Sequence, residues 1–101
     1  MPKMPYTEGW NAAWDLELES VRRSHKLKTE SRFFKAIEDG RKTFEIRLDD
    51  RQFREGDLLE LLEWDCIEGV LTGGVLWRRV TYITSWGQKK GYVVMAIAEV
   101  K

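Results

Sequence analysis

From Thr43 to Leu48 the side chains alternate without a break, and that alternation predicts an extended strand. Phe44, Ile46 and Leu48 fall on one face, and Thr43, Glu45 and Arg47 on the other. The apolar face is expected to close a core. The polar face sets a carboxylate beside a guanidinium, with Lys42 just ahead of the strand and Gly40 two residues before that. A domain built on such a strand is a sheet protein with a polar surface available for chemistry.

The rest of the chain supplies partners for that strand. Residues 24–28 alternate as a short strand, and Arg32 to Asp39 read as a helix with Phe33, Ala36 and Ile37 on one face and Phe34 beside them. Thr29 or Ser31 is expected to cap its start, and Gly40 suits a left-handed residue after its end. Glu55-Gly56-Asp57 reads as a turn. Strands are expected at Leu58 to Trp64, Val75 to Thr84 and Tyr92 to Val100, with loops over 65–74 and 85–91. Residues 7–22 carry Trp10, Ala13, Trp14, Leu18 and Val21 at helical spacing behind Thr7, which predicts a separate amphipathic helix. Five strands and two helices in about a hundred residues predict an α+β fold, a small curled barrel of five or six mostly antiparallel strands.

At 101 residues, 43% hydrophobic and 34% charged, the chain is expected to form one soluble domain, residues 24–101, behind an N-terminal helical extension, residues 1–23. No apolar run approaches the ~20 residues of a membrane helix, and no signal peptide or cofactor motif is expected. One cysteine, Cys66, excludes an internal disulfide and favours a cytoplasmic setting; one histidine, His25, argues against a zinc site. The zero net charge hides segregation: residues 22–54 sum to +5 and residues 55–76 to −6. Grouped in space, such segments present a basic face suited to an anionic partner.

Two apparent motifs fail. Gly40-Arg41-Lys42-Thr43 superficially follows a phosphate-binding loop, but Lys35 stands where that loop needs its first glycine, and a helix precedes it instead of a strand. Cys66 lies among acidic residues, which disfavour a thiolate and hence an activated nucleophile.

Several separated motifs occur together: His25-x-Leu27-Lys28, then Phe33-Phe34-Lys35-Ala36-Ile37-x-x-Gly40-x-Lys42-Thr43-x-Glu45-x-Arg47, Asp50-Arg51-x-Phe53, Gly56-Asp57, Thr72-Gly73 and Gly91-Tyr92-Val93-Val94. In this order they resemble the ASCH superfamily, close to its phage and prophage branch, over residues 24–100. The resemblance implies a PUA-like barrel with a cleft beside the Lys-x-x-Glu-x-Arg strand and RNA or a nucleotide as ligand. It carries Lys42, Glu45 and Arg47 into the ligand-binding cleft, with Gly40 and Thr43 shaping its approach. It also departs from that branch, which tends to place a basic residue after Thr-Gly; this chain has Gly74.

Three functions compete. A binding module would use Lys42 and Arg47 on phosphate or a base edge and Glu45 as an acceptor, with neighbouring aromatic rings for stacking. A solvated ion-pair face would look the same in the alternation alone. A hydrolase acting on a modified nucleoside or RNA would use Lys42 and Glu45 as catalytic candidates. One ASCH branch deacetylates a modified cytidine, but Glu45 occupies the position of its threonine, and two adjacent cations favour the ionised carboxylate, which suits an acceptor better than a base. A protein-interaction module or a homodimer would use the Trp10/Trp14 helix.

Overall fold

Residues 23–100 are described by the structure, a computed structural model. The expected helix over residues 7–22, with Trp10 and Trp14, lies outside the described residues. The alternation of Leu27 and Thr29 with Lys26 and Lys28 forms β1, Ser24–Glu30, with Leu27 and Thr29 buried. The helix α1, Ser31–Glu38, follows at once. Phe34 and Ile37 are its buried residues, so Phe34 takes the place expected for Phe33, which is left part-exposed. Neither expected cap residue caps it: Thr29 Oγ1 donates to the Leu27 carbonyl and Ser31 Oγ to the Trp64 carbonyl. Gly40 does take the left-handed conformation after its end, at φ +85°.

Four further strands complete the sheet: β2 Phe44–Leu48, β3 Leu58–Asp65, β4 Val70–Thr84 and β5 Tyr92–Glu99. The strand order is β1-β3-β4-β5-β2. β1 runs parallel to β3, and the other three pairings are antiparallel. The sheet is curled, a half-barrel with one helix among the described residues. β4 starts five residues earlier than expected. Val70 and Leu71 pair with Asp65 and Trp64, so much of the anticipated 65–74 loop is a hairpin.

β4 pairs with β3 through its first part and with β5 through its last, which lets a single strand turn the sheet's corner. Register shifts at Leu62/Trp64 and Val80/Tyr82 mark the bends. Inside the curl, Leu27, Ile37, Phe53, Leu59, Leu61, Val80, Val93, Met95 and Ile97 form one core. Burying each such side chain fully contributes about 1.5–3 kcal/mol.

Gly74 is where α1 meets the sheet. A Cβ there would stand 2.8 Å from Glu63 Oε1 and 3.1 Å from Phe34 Cζ. Gly74→Val is expected to lower stability by about 1–3 kcal/mol, read as a fall in urea midpoint at unchanged slope. An unchanged midpoint would mean that the helix does not lean on this strand.

The orientation of β2 overturns the expected one. Its polar face turns inward: Glu45 is 3% exposed and shares the inner face with Met95, while Arg47 shares it with Val93. Phe44, Ile46 and Leu48 stand outward at 40%, 51% and 49% exposure. The cause lies in what the helix covers. α1 packs on β1 and β3, so the interior beneath β2 holds an ion-pair cluster in place of an apolar layer. Among the described residues no helix is long and apolar enough to cross a membrane.

Candidate binding recess at the β1–β2 seam

β1 and β2 are the two ends of the strand order, and the curl brings them together without a backbone ladder between them. Arginines span the gap. Arg47 Nη2 donates to the Lys28 carbonyl at 2.9 Å and to Thr29 Oγ1 at 3.1 Å, and Arg51 Nη1 donates to the Lys26 carbonyl at 2.6 Å. Beside the Arg47 bridge the seam opens into a recess of about 360 Å³, lined by Lys28, Thr29, Glu30, Phe33, Lys42, Phe44, Glu45, Ile46 and Arg47.

Glu45 organises the lining. Its Oε1 accepts from Lys42 Nζ at 2.5 Å and its Oε2 from Arg47 Nε at 2.8 Å. Lys42 Nζ also donates to the Phe44 carbonyl at 2.6 Å and lies 5.4 Å and 4.7 Å from the Phe33 and Phe44 ring centres. These are cation–π distances. Lys28 stacks its ammonium on Trp64 at 4.2 Å. Three cations and two carboxylates line the recess, and both cations bonded to Glu45 are fixed in direction by it. Such an arrangement can orient an anionic or carbonyl-bearing guest between two half-exposed aromatic rings.

Of the residues expected at the site, Lys42, Glu45 and Arg47 all line this recess. Gly40 and Thr43 do not line the recess; Gly40 turns the chain after α1, and the Thr43 carbonyl accepts from the Ile97 amide. Phe33, Phe44, Ile46, Lys28 and Thr29 went unassigned in the sequence. Phe44 and Ile46 had been placed with the core by their alternation, and β1 residues reach the site only because the sheet curls.

A second polar cluster, also unforeseen, sits at the other end of β1. Asp57 is 1% exposed and accepts from Arg23 Nε at 2.7 Å and Arg23 Nη2 at 2.9 Å. His25 Nε2 approaches it at 2.8 Å, and the Arg54 amide donates at 2.9 Å. Burial works to raise this carboxyl, but the bonds from Arg23, His25 and the Arg54 amide, with the Arg23 charge, outweigh it and hold Asp57 below its ordinary value of 3.8. The His25 ring meets Phe53 edge-on at 4.9 Å, which ties this cluster to the core. Among the described residues no group of three or more His, Cys, Asp or Glu side chains is arranged to hold a metal ion.

The strands and helix that build the recess fall within a recognisable family. Over 60 residues the chain is 37% identical to a protein of Escherichia phage P2 named "Uncharacterized 12.9 kDa protein in GpA 3'region". That alignment covers 59% of this chain and 53% of the phage protein, so the match spans about half the length of that relative. Residues 24–97, from the start of β1 nearly to the end of β5, match the family model of a domain of unknown function, DUF3850. The chain belongs to the DUF3850 family.

Proposed function

We propose that this domain binds RNA or a nucleotide in the recess at the β1–β2 seam, as the resemblance to ASCH, PUA-like domains implies. The observation that supports this most is the Glu45 carboxylate, nearly sealed from solvent, aiming Lys42 and Arg47 into a recess walled by Phe33 and Phe44. Arg47 spends Nε and Nη2 inside the protein, and among the described residues its Nη1 makes no hydrogen bond. That leaves a directed donor for a phosphate or base oxygen. The recess volume lies near the lower end of the ~300–1,000 Å³ typical of small-molecule sites. Glu45 serves as a brace in this reading. Both of its oxygens are occupied by cations, which suits holding two donors better than taking a proton from water.

The test is a binding screen of nucleosides, nucleotides and short RNAs against the wild type, Lys42→Ala and Phe44→Ala. Losing one stacking ring is expected to weaken binding by about 1–3 kcal/mol, and affinity for phosphate-bearing ligands is expected to fall with salt. Binding that both variants retain in full would place the site elsewhere. Acetylated cytidine, incubated in the same screen, is expected to come back intact; release of acetate would replace this reading with the hydrolase.

A further inference from the structure

The hydrogen-bond phase of β2 shows what the recess offers a guest besides side chains. The Ile97 amide donates to the Thr43 carbonyl at 3.0 Å and the Asp49 amide to the Gly91 carbonyl at 2.8 Å. With the β2–β5 register, these bonds place the main-chain groups of residues 43, 45, 47 and 49 toward β5. Residues 44, 46 and 48 therefore turn theirs toward the seam. The Phe44 carbonyl is taken by Lys42, and the Leu48 carbonyl by the Asp50 amide. Among the described residues the amide and carbonyl of Ile46 make no hydrogen bond, and Ile46 lines the recess. On the opposite strand, the Lys26 and Lys28 carbonyls that face the seam are held by Arg51 and Arg47.

We propose that the recess grips a nucleobase edge-on, with the Ile46 amide and carbonyl hydrogen-bonded to its Watson–Crick edge. This rests on the nucleotide-binding reading and names the part of the nucleotide that enters. An extended peptide needs several residues of open strand edge. Here the open stretch is bounded by Lys42 on the Phe44 carbonyl at one side and the Arg47 bridge at the other, which leaves room for one flat ring. Each base presents a neighbouring donor and acceptor in its own plane, complementary to an amide and carbonyl on one residue. Phe33 and Phe44 supply apolar surface for its faces. The main-chain contact sets orientation and leaves base identity to the surrounding side chains.

The experiment measures affinity for uridine, cytidine, adenosine and guanosine beside N3-methyluridine, N3-methylcytidine, N1-methyladenosine and N1-methylguanosine, whose Watson–Crick edges are blocked. Whichever parent binds, its methylated partner is expected to bind at least about tenfold more weakly, the scale of leaving a buried polar partner unpaired. The Ile46 amide resonance is expected to move downfield with the parent and stay put with the methylated form. Ile46→Pro removes only an amide that β5 does not use, at an edge strand where proline is tolerated. It is expected to reproduce the tenfold loss while keeping a cooperative melting transition. A parent nucleoside that binds no better than its methylated partner, without moving the Ile46 amide, overturns the main-chain contact and leaves nucleotide binding standing. If no nucleoside, nucleotide or short RNA binds at all, both readings fall.

Discussion

Asp57→Asn is expected to cost about 3–5 kcal/mol of stability, because it strips the charge from a buried acceptor and leaves Arg23 facing an amide. For a domain of this size that lowers the melting temperature by more than about 12 °C. The effect depends on pH in a definite direction. Asp57 is held below its ordinary value of 3.8, so the folded state binds this proton less readily than the unfolded one. The stabilisation is then complete above about pH 4 and is lost as pH falls through the lowered value. Wild type and Asp57→Asn should converge in stability as the pH drops below 4, with the variant showing the shallower acid slope. Parallel acid slopes would show that the Arg23–His25–Asp57 cluster contributes nothing through its charge.

Glu45→Ala is expected to be nearly as damaging, at about 3–5 kcal/mol, because Lys42 and Arg47 are largely buried and would lose the carboxylate they share. The informative comparison is a triple replacement, Lys42→Met, Glu45→Leu and Arg47→Leu. Exchanging a whole buried ion cluster for apolar side chains of similar size is often neutral or stabilising. The triple variant is therefore expected to melt at or above the wild-type temperature while losing ligand binding. That outcome would mean that stability does not require the cluster. A triple variant as unstable as Glu45→Ala would make the cluster a structural element.

The strands and the helix over residues 31–38 were legible because periodicity reports local geometry, and each is set by its own side chains. Which face of a strand points inward is a tertiary property, and β2 shows the limit. Phe44-x-Ile46-x-Leu48 reads as a core stripe, yet α1 leans on β1 and β3 and leaves polar groups to fill the space beneath β2. The hairpin at 65–74 was hidden for a local reason. Thr72-Gly73-Gly74 looks like a loop, but Gly73 at φ +98° and the crowded Gly74 let β4 bend between pairings at Leu71 and Val75. At the site, Lys42, Glu45 and Arg47 were legible because they lie on or just ahead of one strand. Lys28 and Thr29 come from β1 and Phe33 from α1, and they meet the strand's residues only through the curl. Asp57 was seen only as a turn residue, since nothing in its neighbourhood announces that Arg23 and His25 converge on it.

A wall whose last gap is spanned by two guanidinium groups, instead of peptide rungs, has a particular mechanical character. Arg47 and Arg51 close that line through side chains alone, so replacing them would part β1 from β2 without breaking any strand's ladder. The recess sits beside the stretch of wall that the peptide backbone does not close.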